Sequence, residues 1–148
     1  RHMTDVIKFA YQTGARQGEI LKLKREHINF EIKQCTFYDT KNKADRTIPL
    51  ADETLVILKK HVFGKYIFDC ESGRLRKWFR HACKAAKITN FRFHDLRACF
   101  CTNALLNGWS VAEVSAISGH KDWSQLKRYT RIKPADLLQK INNVVNLK

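Results

Sequence analysis

Six glycines and two prolines are all that 148 residues contain, well under the roughly 12% these two breakers average together. So small a supply of turn formers excludes a low-complexity or loop-dominated chain and favours long helices. Apolar runs are short as well. None approaches the roughly 18 residues of a membrane span, so no membrane partner is expected. The opening Arg1-His2-Met3 lacks the apolar stretch of a signal peptide. Arg1 and His2 ahead of a methionine read as a vector remnant, which sets residues 1–3 apart from a single domain over 4–148 and keeps His2 out of any site argument. The five cysteines, Cys35, Cys70, Cys83, Cys99 and Cys101, are odd in number and form no C-x-x-C pair. Their spacing supports neither a zinc site nor a disulfide framework, and reduced thiols in a cytoplasmic protein are expected.

Acidic residues are also scarce. Asp and Glu number 14 against 28 Lys and Arg, a net charge of +14, and a field of that sign attracts polyanions and speeds encounter with them. A purely basic tail is excluded, because 44% of the residues are hydrophobic and they are spread along the whole chain, so a compact core can form.

Apolar spacing through Val6, Ile7, Phe9, Ala10 and Tyr11 predicts a helix that stops near Thr13-Gly14, with a second helix following that turns Ile20, Leu21 and Leu23 inward. Residues 34–40 and 46–50 read as two strands joined by a polar loop over 41–45. Helical spacing returns at Leu55, Leu58 and Val62 with Asp52 as N-cap, and Tyr66-Ile67-Phe68 reads as a short strand. From Ser72 onward the pattern is almost wholly helical, broken near Thr89-Asn90, Asn107-Gly108, Ser118-Gly119 and Pro134. One of these helices carries Arg74, Arg76, Lys77, Arg80, Lys84 and Lys87 around an apolar seam, a face suited to DNA backbone. The last presents Leu137, Leu138, Ile141, Val144 and Val145 as one stripe, which must cover this domain's core or a neighbouring subunit. The predicted fold is mainly α with a small antiparallel sheet, an α+β domain. Tyr11, Tyr38 and Tyr66 are expected in the core, and His27, His61 and His81 match no motif.

Five motifs stand in order along this framework: Thr13-Gly14-Ala15-Arg16-Gln17-Gly18-Glu19; the loop Thr40-Lys41-Asn42-Lys43-Ala44-Asp45-Arg46-Thr47-Ile48-Pro49-Leu50; His94-Asp95-Leu96-Arg97; Ser118-Gly119-His120; and Tyr129, nine residues after His120. Together they resemble the catalytic domain of the tyrosine recombinases, the phage-integrase family, over residues 6 to about 145. Any one motif is weak; five in the right order are not. The motif Ser118-Gly119-His120 carries serine in its first place, where the family usually has leucine. The resemblance implies a tyrosine-recombinase catalytic fold, an N-terminal DNA-gripping domain that is not part of this sequence, and double-stranded DNA as partner. It also implies a monomer without DNA, and a tetramer with exchange of the C-terminal helix on recombining DNA.

The chemistry explains the residue types. Attack on a phosphodiester builds charge on the nonbridging oxygens, and two guanidinium forks can donate paired hydrogen bonds to them, the role implied for Arg16 and Arg97. A tyrosine hydroxyl, with a pKa near ~10, must lose its proton as it bonds to phosphorus, while the departing 5′ oxygen must gain one. By resemblance Tyr129 is the nucleophile and Lys41 the general acid, chosen over Lys43 by counting back from Pro49, with Lys43 as the alternative. His94 is implied as base or proton relay and His120 as a further phosphate donor. Glu19 and Trp123 are supporting residues, and Lys43, Arg76, Lys77, Arg80 and Lys121 are expected DNA contacts. No metal or cofactor is implied, since arginine and lysine supply the charge neutralisation. The expected product is a 3′-phosphotyrosyl enzyme that a partner strand's hydroxyl rejoins without ATP. A type IB topoisomerase-like enzyme and a non-catalytic DNA-binding module are the alternatives. A Tyr129 displaced in the absence of DNA is expected, because its segment lies between a glycine turn and Pro134.

Overall fold

A computed structural model describes residues 2–38, 44–130 and 134–145. Helix α1 (His2–Thr13) buries Val6, Phe9 and Ala10 on one face. Its end is closed locally: the Thr13 hydroxyl donates to the Phe9 carbonyl at 2.7 Å and the Gly14 amide to the Ala10 carbonyl at 3.0 Å. Gly14 then turns the chain with φ of +62°, a region that costs glycine nothing. The short helix α2 (Gln17–Leu21) follows, with Ile20 fully buried.

Strands β1 (Ile28–Asn29), β2 (Gln34–Phe37) and β3 (Arg46–Pro49) form one antiparallel sheet in sequence order. The β2–β3 register pairs Cys35 with Ile48 and Phe37 with Arg46. Cys35, Phe37 and Ile48 face the core, while the Thr36 and Thr47 hydroxyls meet on the outer face at 2.8 Å. The central part of the hairpin loop, with Lys41 and Lys43, lies outside the described residues.

Helix α3 (Asp52–Lys59) starts one residue earlier in its cap than expected: Ala51 is the N-cap, and Asp52 is the first helical residue, its carboxylate 2.7 Å from Lys33 Nζ. Tyr66-Ile67-Phe68 is not a strand. A single bond from the Ile67 amide to the Leu23 carbonyl, 2.7 Å, holds it, and burial of Ile67 and Phe68 does the rest. Helix α4 (Ser72–Ala85) puts Leu75, Phe79 and Cys83 inside and the basic residues outside. Just past its C-cap Ala86, Lys87 takes the left-handed conformation at φ +57° with no glycine to announce it.

Helices α5 (Asp95–Leu106) and α6 (Val111–Ser118) complete the domain. The second carries a reciprocal cap, in which Ser110 Oγ accepts from the Glu113 amide at 3.1 Å and Glu113 from the Ser110 amide at 2.6 Å. A 3₁₀ stretch (Trp123–Tyr129) and helix α7 (Pro134–Val145) close the chain. The main core joins α1 to α4 with the sheet. A smaller cluster of Cys101, Ala104, Val114 and Leu126 sits between α5, α6 and the 3₁₀ stretch.

One expectation fails at the surface, and another is narrowed. Tyr11 and Tyr38 are 46% and 52% exposed rather than in the core, Tyr11 through a hydroxyl that accepts from Asn103 Nδ2 at 2.7 Å. The α7 stripe of Leu137, Leu138, Ile141 and Val144 is exposed among the described residues, which leaves a neighbouring subunit as the expected cover; the Val145 side chain lies outside the described residues. The fold is thus mostly helical with one small antiparallel sheet, and none of its described helices is long and apolar enough to cross a membrane.

Candidate active site

One carboxylate and two backbone carbonyls organise three arginines at the place where α1 and α6 end and β3 and α5 begin. Arg16 is the N-cap of α2, and Glu19, one turn on, reaches back so that its Oε2 accepts the Arg16 backbone N–H at 2.7 Å. Glu19 Oε1 accepts from Arg16 Nη1 at 3.0 Å, and Arg16 Nη2 donates to the Gly119 carbonyl at 3.2 Å. Arg46, first residue of β3, closes on the same carboxylate with both nitrogens, Nη1 to Oε1 at 3.0 Å and Nη2 to Oε2 at 2.8 Å. Burial by itself pushes the Glu19 carboxyl up. The Arg46 hydrogen bonds, the Arg16 amide and both cationic charges outweigh it and hold the group below its usual range.

Arg97, on the first turn of α5, is 4% exposed and donates through Nη1 to the Gly14 carbonyl at 2.8 Å. A residue in the α1–α2 turn and one 83 positions later are thereby locked together. Burial and the nearby Arg16 charge push Arg97 down to about 10, which leaves it cationic through the neutral range. Its Nη2 faces the His120 ring at 3.4 Å. His120 is set from behind: Ser118 Oγ stands 2.7 Å from Nδ1, and the Ser115 hydroxyl donates to the His120 carbonyl. The Ser118 hydroxyl meets Nδ1, while Arg97 Nη2 is 3.4 Å from both ring nitrogens, so the serine and the arginine together hold the ring in place. The serine that departs from the family's usual leucine therefore has a use.

His94 is the N-cap of α5 and is exposed. Partial burial lowers its pKa first, and the Arg97 charge lowers it further against the opposing pull of Asp95, so the neutral imidazole is the form at neutral pH. Lys121 stands beside His120, Arg46 and Gly119 around one small cavity.

The remaining candidates are placed elsewhere. Tyr129, half-buried, packs with Phe100, Leu105 and Val111 against the smaller cluster, and lines a groove with Trp109, Thr130 and Leu137. Among the described residues, Arg16, Arg97 and His120 are not in the walls of that groove. Trp123 is 55% exposed at the start of the 3₁₀ stretch, so it does not pack into the site. Arg76, Lys77 and Arg80 are exposed along α4. That helix is tied to the site at its N-terminus, where Gln17 Nε2 donates to Ser72 Oγ at 2.8 Å. Sequence reasoning missed Arg46, Ser115 and Ser118 as members of the site. Arg46 lay within a quoted motif but looked like one more hairpin cation, and no periodicity distinguishes a buried arginine from a solvated one.

The phage integrase family model matches residues 2–136. The chain is 33% identical over 141 residues to a shufflon-specific DNA recombinase of Escherichia coli, covering 93% of this chain and 36% of that protein. It is 30% identical over 136 residues to the tyrosine recombinase XerA of Saccharolobus solfataricus, covering 89% of this chain and 46% of that one. The chain thus spans well under two thirds of the length of these relatives. Among solved structures, the Tn1549 transposon integrase in complex with transposon right end DNA superposes with a TM-score of 0.82 at 14% identity, over 97% of this chain and 59% of that one. The catalytic domain of bacteriophage HP1 integrase does so with 0.73 at 23% identity, over 97% and 84%. These two show the fold. With the family model covering most of its length, the chain belongs to the phage integrase family.

Proposed function

We propose that this chain is the catalytic domain of a site-specific DNA recombinase that cuts and rejoins strands through a 3′-phosphotyrosyl intermediate on Tyr129. The observation that carries the reading is the meeting of Arg16, Arg97 and His120, from three separate elements, with donors grouped around one place. Two guanidinium forks and an imidazole N–H suit the nonbridging oxygens of a pentacoordinate phosphorus. Neutral His94 takes the tyrosine proton, and a hairpin lysine, Lys41 ahead of Lys43, protonates the leaving 5′ oxygen. The phosphotyrosyl ester keeps the bond energy, so a second strand's 5′ hydroxyl rejoins the DNA without ATP. Arg76, Lys77 and Arg80 on α4, with Lys121 beside His120 and Lys43 in the hairpin, contact the backbone. The names of the relatives suit integration or excision of a mobile element, carried out in the cytoplasm. A protomer alone without DNA and a tetramer on recombining DNA complete the reading, with α7's exposed stripe covered by a neighbouring copy.

The test is incubation of the full-length protein with nicked suicide duplexes tiled over the DNA flanking its gene. A covalent adduct is expected, and Tyr129→Phe is expected to abolish it. No adduct with the wild type would favour a DNA-binding module; one that survives in Tyr129→Phe would refute the nucleophile. Lys41→Ala and Lys43→Ala are separated by a 5′-bridging sulfur substrate, whose leaving group needs no proton: rescue is expected for Lys41→Ala alone.

A further inference from the structure

We propose that Arg46 is a positioning residue that occupies the Glu19 carboxylate and so leaves the positive charge of Arg16 uncompensated towards the scissile phosphate, an inference that rests on the function proposed above. A buried carboxylate shared by Arg16 alone would form a neutral one-to-one pair, leaving Arg97 as the sole net positive guanidinium of the three. With Arg46 present, three guanidinium groups face one carboxylate, a net charge of +2 for the set.

The geometry divides the labour. Arg46 takes both oxygens of Glu19, at 3.0 and 2.8 Å, in the parallel fork that only arginine offers. Arg16 is left with a single side-chain bond to Glu19, and its Nη2 turns to the Gly119 carbonyl. Arg46 is itself walled in: its side chain is 10% exposed, its guanidinium carbon lies 5.0 Å from the Phe37 ring centroid, and it presses so closely on Gly119 that a Cβ there would overlap its Nη1. A group enclosed in this way acts through Glu19. Its Nε–H has no hydrogen-bond partner among the described residues, a cost tolerated while both Nη groups stay on the carboxylate.

The experiment compares Arg46→Met, Arg46→Lys, Glu19→Gln and the Arg46→Met/Glu19→Gln double variant in the full-length protein. Single-turnover adduct formation is measured on nicked duplexes with a phosphate or a methylphosphonate at the cleavage position, beside thermal unfolding. Arg46→Met is expected to slow cleavage of the phosphate about 100-fold. The double variant is expected to recover roughly tenfold of that, because Arg16 is no longer neutralised. On methylphosphonate, which lacks the ionised nonbridging oxygen, the Arg46→Met loss should shrink to about tenfold or less. Arg46→Lys, which keeps the charge without the fork, should stay within about tenfold of wild type, and it carries the test if Arg46→Met does not fold. A double variant no faster than the single, with both substrates slowed equally, overturns the proposal, as does a folded Arg46→Met at the wild-type rate or an Arg46→Lys as slow as Arg46→Met. Vanadate binding, read by NMR line broadening, reports on the pocket without cleavage. Arg46→Met is expected to weaken it at least about fivefold, and unchanged binding overturns the proposal even if the wild type forms no adduct, an outcome that would separately refute the proposed function.

Discussion

At the scale of single residues, protonation states divide the work of the site. His94 is held below its ordinary pKa of 6.5 by burial and by Arg97, so the folded protein binds fewer protons than the unfolded chain as pH falls through that range. Stability declines on acidification, and so, in the proposed reaction, does the supply of neutral base. The cleavage rate of the proposed reaction is therefore expected to keep its plateau down to pH 6.5 and to fall only below it, a limb that a pH series in single-turnover conditions would reveal and that His94→Gln should remove. Glu19 behaves in the opposite chemical sense with the same sign. Its depressed carboxyl contributes stability that is fully present above its ordinary 4.5 and lost as pH falls through the folded value. Acid unfolding monitored by circular dichroism should be shallower for Glu19→Gln, and an unchanged acid limb would contradict the Arg46–Glu19–Arg16 bonding. Ser118→Ala leaves His120 Nδ1 without its 2.7 Å partner, and a drop of roughly tenfold in adduct formation is expected with little change in Tm.

At the scale of elements, two glycine turns bring the site together. Gly14 has φ +62°, its carbonyl receives Arg97, and a Cβ there would stand 2.5 Å from the Phe100 ring. Gly119 has φ +77° as the left-handed cap of α6, with its carbonyl on Arg16 and Arg46 over its Cα. Either glycine to alanine is expected to cost about 1–3 kcal/mol in urea unfolding, from left-handed strain and overlap together. Gly119→Ala should slow cleavage beyond that loss, since Arg46 must move off Glu19. In the proposed function, helix α4 contacts the DNA backbone. If Arg80 contacts a phosphate, Arg80→Ala should lower the slope of log affinity against log salt by about 1, and an unchanged slope would remove it from the interface.

At the scale of the whole molecule, the positive charge, the core and the site were legible to different degrees. Helix stops were readable where a local signal exists, such as Gly14 and Gly119. The C-terminal end of α4 and the 66–68 segment were not, because Lys87 adopts a left-handed conformation that its side chain does not advertise and Ile67 is held by a distant carbonyl. Arg16, His94, Arg97 and His120 were singled out through the family resemblance of their motifs, and the fold brings Arg16, Arg97 and His120 together. The exposed stripe on α7 belongs to this scale too: without DNA, sedimentation at low micromolar concentration is expected to report a monomer, and a stable dimer would mean the stripe is already covered.

The sequence by itself determined the element types, the net charge of +14 and the order of the motifs, because periodicity, capping and composition act between near neighbours. Only the tertiary structure decided that Arg46 and Glu19 share two hydrogen bonds across 27 positions, that Gly14 receives Arg97 across 83, and that Tyr129 packs with the smaller cluster beside α5 and α6. A hydrogen bond between segments so far apart depends on how the whole core packs, and no local pattern encodes it.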